Sequence, residues 1–103
     1  MVGTFKGFTI RQDELFTTQL ELIAPARFTD EALDAVVWAV GNDPEVYPVI
    51  PGTNRLRVAK SLLYQRQLVT IPPLRIWFTI EDGGIILFKA VDVLEDWNTP
   101  DTG

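Results

Sequence analysis

The stretch LRIWFTIEDGGIILFKAVDV, residues 74–93, predicts a β-hairpin and indicates the fold class. Its first half alternates, so that one side of the strand holds the apolar residues Leu74, Ile76, Phe78 and Ile80. The opposite side holds Arg75, Trp77 and Thr79. The sequence EDGG predicts a tight reversal, because Asp-Gly tolerates the positive φ angles that such turns need. Residues 85–93 then form the partner strand.

The sequence before this hairpin also predicts strands. In RLRVAK, residues 55–60, alternation places Leu56 and Val58 toward the core and Arg55 and Arg57 on the other face. RQLVTI, residues 66–71, predicts a further strand or a strand extension, and two prolines then force an extended break. The result is a mostly antiparallel, meander-type sheet of three to five strands. Its polar face would present Arg55 or Arg57, together with Arg75 and Trp77, to solvent.

One main helix is predicted over residues 29–41. Thr29 can cap its N-terminus, and Gly41 followed by Pro44 ends it. Four apolar residues form one stripe that can pack on the apolar face of the sheet: Leu33, Val36, Val37 and Val40. Trp38 lies outside this stripe, so either the N-terminal FKGFTI covers it or a partner does.

The segment TTQLELI, residues 17–23, predicts a strand, with Leu20 and Leu22 on one side. Strand, helix and meander together predict an α+β fold in a single domain over residues 1–103. We expect residues 97–103 to be frayed, because they are polar and rich in turn formers.

Composition narrows the function classes. The 103 residues include no Cys and no His, which argues against disulfides, thiolate nucleophiles, catalytic triads and most zinc sites. We therefore expect no metal and no cofactor. The N-terminus lacks the apolar core of a signal peptide, and no apolar run is long enough to span a membrane. These features predict a soluble, cytoplasmic protein without a membrane partner.

Charge is distributed unevenly along the chain. The net charge is −5, yet the interval between Glu45 and Glu81 contains no acid and five cations: Arg55, Arg57, Lys60, Arg66 and Arg75. Such an interval can form an anion-binding face, can dock on an acidic segment of this chain or of a partner, or can simply be a solvated surface.

Two segments carry a family resemblance. NDPEVYPVIPGTNRLRVAK, residues 42–60, and PPLRIWFTIEDGGIILFKAV, residues 72–91, resemble the RelE/ParE superfamily of bacterial toxins from toxin–antitoxin modules, especially its HigB-like branch. There, a helix end is followed by a loop with Gly, a strand with a Leu-Arg pair, an Arg-containing strand and a tight hairpin. The resemblance covers about residues 17–95. Toxins of this family usually carry two N-terminal helices, whereas the sequence predicts one here.

The resemblance implies an RNA endonuclease of the mRNA interferase type, with an antitoxin protein, mRNA and the ribosome as partners. It implies that Arg57 and Arg75 bind phosphate, with Arg55 nearby, and that Trp77 stacks on a base. Cleavage by attack of the ribose 2′-hydroxyl needs a general base, a role that Arg cannot perform at neutral pH. The remaining candidates for the base are Lys60, Tyr64, Asp92 or a more distant group. Of these, Lys60 joins the two arginines in the predicted catalytic set.

Three hypotheses remain open from the sequence. The protein is a RelE/ParE-like toxin that cleaves mRNA, or a catalytically degenerate relative that only binds nucleic acid or an acidic protein through the basic face. The third is a homo-oligomer, such as a homodimer, in which a sheet edge or the Trp38 surface forms the subunit contact and the basic interval is only solvated.

Overall fold

The computed structural model describes residues 3–5, 7–66 and 68–94, and it has an α+β fold, as predicted. The predicted tail, residues 97–103, lies outside the described residues. The strands are β1 (Gly3–Phe5), β2 (Phe8–Gln12), β3 (Arg57–Lys60), β4 (Tyr64–Arg66), β5 (Val69–Ile71), β6 (Leu74–Glu81) and β7 (Ile85–Val93). Two α-helices, α1 (Glu14–Ile23) and α2 (Ala26–Asn42), and a short 3-10 helix (Pro44–Val46) lie between β2 and β3.

Five strands form the main sheet, in the order β1-β2-β7-β6-β3. Three of its four pairings are antiparallel, and β2 runs parallel to β7. The predicted hairpin is confirmed: β6 and β7 pair from Glu81↔Ile85 to Leu74↔Val93. The meander is interrupted, because β4 and β5 form a separate two-stranded hairpin between β3 and β6.

Glycine is required in the turn between β6 and β7. Gly84 has φ +75, and a Cβ there would lie 2.6 Å from the carbonyl oxygen of Gly7. Both the backbone angle and the close approach exclude a side chain. The turn is therefore held against the loop between β1 and β2, which keeps the parallel pair β2–β7 in register.

The strand predicted for residues 17–23 is wrong, because these residues belong to α1. Asp13 caps this helix, its side chain accepting a hydrogen bond from the backbone N–H of Leu15 at 3.3 Å. Phe16 and Leu20, four residues apart, are buried on one helix face, whereas Leu22 is 83% exposed. The alternation of Leu20 and Leu22 was thus a coincidence within a short window, and the helical period is visible only when Phe16 is included.

Helix α2 begins three residues earlier than predicted. Pro25 precedes its first turn without a side-chain cap, and Thr29 is buried inside the helix, where its hydroxyl donates to the carbonyl of Ala26. The capping role predicted for Thr29 is therefore wrong. The predicted apolar stripe is confirmed at Leu33, Val36 and Val40, which are buried, while Val37 packs at the margin of the core.

Both helices cover the same face of the main sheet. Phe16 of α1 contacts Phe88 of β7 with ring centroids 5.4 Å apart, and Phe88 contacts Phe78 of β6 at 6.3 Å. The side chain of Gln19 on α1 accepts a hydrogen bond from the backbone N–H of Val91, beyond the end of β2. We call this the covered face, and we call the opposite side, which neither α1 nor α2 covers, the outer face.

Candidate nucleic-acid interface

The strand register identifies which side chains lie on the outer face. Directly paired residues share a face, so Lys60 lies beside Arg75 and Val58 beside Trp77. The buried residues of the same strands alternate with them: Ala59 pairs with Ile76 on the covered face. On the other side of β7, Arg11 pairs with Leu87, whereas the buried Ile10 pairs with Ile86. The outer face therefore extends from β2 to β3.

Positive charge exceeds negative charge on this face. Among the described residues, two acids lie on it, Glu81 and Asp92. Five cations lie on it or reach it from its edge: Arg11, Arg55, Lys60, Arg75 and Lys89. The strands and edge of this face thus bring several cations together, in contrast to the net charge of −5 of the whole chain. Local excess of this kind attracts anions even to an acidic protein.

Arg75 and Trp77 form the centre of the outer face. The Arg75 guanidinium donates two hydrogen bonds to the Asp92 carboxylate, at 2.9 and 2.7 Å. It also lies over the Trp77 ring, 5.1 Å from the ring centroid. Bidentate pairing and a cation–π contact both restrict the guanidinium, so its position is largely fixed before any ligand binds. The predicted proximity of Arg75 and Trp77 is confirmed.

The other cations differ in how they are held. The Arg55 guanidinium donates to the carbonyl of Ile80 at 2.7 Å and lies 3.5 Å from the Glu81 carboxylate. For Arg11, Lys60 and Lys89 we find no ion pair within the part of the chain that the structure describes. These three side chains are the ones that can take up an anion without breaking an existing pair.

Arg57 is not part of the outer face, and the predicted alternation of residues 55–60 is wrong. Arg57 pairs directly with the buried Phe78, so its side chain starts on the covered face. Its guanidinium donates to the carbonyls of Glu45 and Tyr47 beside the short 3-10 helix. Val58, which was expected in the core, lies on the outer face instead. The sheet therefore separates Arg57 from Arg75.

The inversion has a physical cause in the edge strand. The core position of β3 is filled by the small residue Ala59, and the long stem of Arg57 can run along apolar surface while its head reaches backbone carbonyls. Arg55 precedes the strand, in a left-handed conformation with φ +70. Val58 was predicted on the covered face because it is apolar, and this prediction is wrong.

A β-bulge lies at the same place as Arg75 and Trp77. The register of β6 and β7 shifts between Trp77 and Phe78, so that Lys89 is the additional residue on β7. Bulges redirect side chains and increase local twist. Here the bulge allows Lys89 to line the outer face near Thr79 while Phe88 remains in the core. The sequence carries no signal for this register shift, so Lys89 was missed, as was Arg11.

The three candidates for a general base lie in different surroundings. Lys60 is exposed on the outer face beside Arg75. Asp92 is engaged by Arg75 through both carboxylate oxygens. Tyr64 lies on β4, away from the main sheet, and donates a hydrogen bond to the Glu31 carboxylate of α2 at 3.1 Å. Among the three, Lys60 alone lies on the outer face without such a bond.

The phenol of Tyr64 is held in its protonated form. Partial desolvation raises the pKa of Tyr64 above its ordinary value, the Glu31 carboxylate raises it further, and Arg66 acts in the opposite direction. Arg66 itself pairs with Glu31, and this pair joins the β4–β5 hairpin to α2. A phenol with a raised pKa is a poorer base at neutral pH, so this cluster is a structural attachment.

Trp38 is not covered by the N-terminal strands. It lies on α2 with 64% of its surface exposed, although α2 contacts both β1 and β2. Other exposed apolar side chains lie in different elements, including Leu22 on α1 and Leu62 before β4. The expectation that the N-terminal strands cover Trp38 is wrong, and the predicted partner contact at Trp38 stays a prediction.

Comparisons with protein-family models, with curated proteins and with solved structures find no match for this chain. Within the described residues, no helix is long and apolar enough to cross a membrane.

Proposed function

We propose that this protein binds single-stranded RNA across the outer face of its sheet, as a RelE/ParE-like component of a toxin–antitoxin module. The observation that carries the proposal is the grouping of five cations around Trp77, on the face of the main sheet that neither α1 nor α2 covers. Proteins that bind single-stranded nucleic acid usually combine two elements: cations along the path of the nucleic-acid backbone and an aromatic ring that stacks on the bases.

The order of elements also supports the RelE/ParE-like proposal. The sequence predicted one helix, whereas the structure has two helices, α1 and α2, between β2 and the strands β3, β6 and β7. Two N-terminal helices are what the resemblance implies for toxins of this family. Neither α1 nor α2 covers the opposite face, and a long ligand could bind there.

Fixed and free cations have different roles in this proposal. Arg75 is held in place by Asp92 and Trp77, so it offers an oriented guanidinium edge next to a ring. Lys60 and Arg11 lie on either side of this centre, on β3 and β2. An RNA strand that crosses the sheet from β3 to β2 would contact Lys60 and Arg11 through its phosphates, while one of its bases stacks on Trp77.

The test compares two double variants with the same net charge. Arg11→Gln with Lys60→Gln removes two outer-face cations, whereas Arg27→Gln with Arg66→Gln removes two cations from the region of α2 and β4. Fluorescence anisotropy with a labelled single-stranded oligoribonucleotide should show wild-type binding that weakens steeply with salt. We expect the first variant to lose about tenfold in affinity at low salt and the second to change less than about twofold. Equal losses in both variants would refute the outer-face proposal.

Cleavage of mRNA is a second candidate function, favoured by the direct pairing of Lys60 with Arg75. Side chains paired across two strands start about 5 Å apart, close enough for both to reach one phosphate group. For cleavage, Lys60 would have to act as the neutral amine: it would accept the proton of the 2′-hydroxyl as the 2′-oxygen bonds to phosphorus, and it would then give a proton to the leaving 5′-oxygen. Arg75, which also engages Asp92, would remain the cation on the phosphate. Induction in a bacterial host should arrest growth and cut mRNA, and Lys60→Gln should abolish both. RNA binding without growth arrest or cleavage would leave the binding function and reject the catalytic one.

A further inference from the structure

A small pocket on the outer face contains a buried polar group without a partner. Five residues line it: Asn54, Arg55, Thr79, Glu81 and Lys89. Thr79 is only 7% exposed, and its hydroxyl has no hydrogen-bond partner among the residues that the structure describes. A buried hydroxyl that makes no hydrogen bond destabilises a folded protein, so such groups are uncommon and call for an explanation. A ligand in the pocket that accepts a hydrogen bond from Thr79 would supply one.

The pocket is also positively charged. Arg55 and Lys89 contribute two cations and Glu81 one acid, which is neutralised by Arg55 at 3.5 Å. Lys89 has no ion pair within the described residues, so its charge is available to an anion. The excess of one positive charge favours an anionic ligand over a neutral or cationic one.

The backbone at the pocket is strained in a way that supports a binding role. Arg55 has φ +70 and is the one described residue other than glycine with a positive φ. A left-handed conformation is unfavourable for Arg, and such residues are concentrated where a site fixes them. Here the conformation places the guanidinium against the carbonyl of Ile80, at 2.7 Å, with its remaining N–H groups available as donors.

The number of donors indicates the class of anion. The side chains of Thr79, Lys89, Arg55 and Asn54 carry hydrogen-bond donors, and these residues line a cavity of about 180 Å³. This volume is below the roughly 300 Å³ of pockets for drug-sized ligands. A carboxylate offers two oxygens, whereas a phosphate offers three or four, which matches this donor set better.

We propose that the pocket formed by Asn54, Arg55, Thr79, Glu81 and Lys89 binds a phosphate group. The phosphate belongs to a terminal or free phosphate monoester, or to a phosphodiester within an RNA strand. This site goes beyond general attraction of RNA to the outer face, because it assigns a defined position to one phosphate and binding roles to Thr79 and Lys89. It can be correct whether or not the protein binds RNA.

The first part of the test uses inorganic phosphate and the full chain. Titration followed by NMR should shift the backbone amide signals of residues 54, 55, 79 and 89 saturably. Thr79→Val and Lys89→Gln should each weaken phosphate binding about tenfold, as expected for the loss of a hydrogen bond to a charged group. The matched controls Thr70→Val, at an exposed position of β5, and Arg27→Gln, at an exposed position of α2, should leave it unchanged.

Thermal unfolding separates loss of binding from loss of folding. Thr79→Val removes a buried hydroxyl without a partner and keeps the shape of the side chain, so its Tm in the absence of phosphate should equal or exceed that of the wild type. If Thr79→Val is more stable than the wild type and binds phosphate more weakly, the Thr79 hydroxyl serves ligand binding at a cost in stability. Absence of a saturable shift, or wild-type phosphate affinity in Thr79→Val and Lys89→Gln, would overturn the proposal.

The second part identifies the source of the phosphate. A 5′-phosphorylated oligoribonucleotide should bind more tightly than its unphosphorylated form if the pocket takes a terminal group, and Thr79→Val should remove that difference. If the pocket takes an internal phosphodiester, Thr79→Val should weaken both forms equally. If the protein binds phosphate but not RNA, the RNA proposal is rejected and the phosphate pocket is retained. If it binds RNA but not phosphate, and Thr79→Val has no effect on RNA binding, the phosphate pocket is rejected and the RNA proposal is retained.

Discussion

Trp77 and Phe78 are neighbours in sequence and lie on opposite faces of one strand, and the two faces are built on different principles. On the covered face, Phe78 is fully buried and its ring contacts those of Phe88 and Tyr47. On the outer face, Trp77 is half-buried and is surrounded by charges, three of which have no ion pair among the described residues. The first face maintains the fold, and the second is available for a ligand.

The largest expected effect separates these two aromatic residues. Phe78→Ala should lower the free energy of unfolding by about 3–5 kcal/mol, because it leaves a cavity in the hydrophobic core. Trp77→Ala should lower it by less than about 2 kcal/mol, because the ring is partly solvated, and should weaken RNA binding by about 1–3 kcal/mol. Urea unfolding and fluorescence anisotropy measure the two quantities. Equal destabilisation by both substitutions would mean that the outer face is a second core surface.

The next effect separates two arginines that sequence reasoning had grouped together. Arg57→Met should lower the free energy of unfolding by about 1–2 kcal/mol, because the carbonyls of Glu45 and Tyr47 lose their donor. Its RNA affinity should stay within about twofold of the wild type. Arg75→Met should weaken RNA binding about tenfold at low salt, since it removes a cation and leaves Asp92 unpaired.

Chemical denaturation and RNA titration of both variants check this contrast. A loss of RNA affinity in a folded Arg57→Met variant would show that the ligand also reaches the edge of the covered face. If Arg75→Met binds RNA with wild-type affinity, Arg75 is not the centre of the proposed interface.

These two pairs of residues also show what could be predicted from the sequence. The hairpin of residues 74–93 was predictable because its alternation is long and its turn contains Asp-Gly, so Phe78 and Trp77 were assigned to the correct faces. The four residues of β3 are too few for such an assignment, and Arg57 and Val58 were exchanged. In a short edge strand, a long side chain with an apolar stem and a polar head can lie on either face. The pattern of polar and apolar residues therefore does not show which face is buried.

Contacts distant in sequence account for the remaining differences. Helix α1 was predicted as a strand because Leu20 and Leu22 alternate within a short window, whereas burial of Phe16 against Phe88 decides the structure. The parallel pairing of β2 with β7 brings Arg11 to the outer face from the other end of the chain. The bulge that accommodates Lys89 depends on the register of two strands together. None of these features can be obtained from one segment alone.

A smaller effect distinguishes free cations from paired ones. The slope of log K against log salt concentration for single-stranded RNA should decrease by about 0.7 in Lys60→Gln, because one phosphate contact is lost. Arg66→Gln, which removes a cation paired with Glu31 away from the outer face, should leave the slope unchanged. Both variants should unfold within about 0.5 kcal/mol of the wild type. An equal decrease in both would indicate nonspecific attraction to total charge.

The smallest effect concerns how pH changes the stability that comes from the contact between the β4–β5 hairpin and α2. The folded pKa of Tyr64 is raised, so the folded state retains the phenol proton more strongly than the unfolded state. This contribution to stability is fully present below the ordinary pKa of tyrosine, about 10, and is lost as pH rises through the folded value. Tyr64→Phe should therefore flatten the fall in stability above pH 10, measured by urea unfolding. An unchanged pH profile would contradict the assigned role of the Glu31 contact.

The most direct test of the central claim is NMR mapping of the wild-type protein during titration with a short single-stranded oligoribonucleotide. We predict that the largest shifts occur at the Trp77 indole N–H and at the amides of Arg11, Lys60, Arg75 and Lys89, all on the outer face. Residues of α1 and α2 should shift little. Shifts centred on Trp38 and α2, or no shifts at low salt, would contradict the claim that the outer face binds RNA.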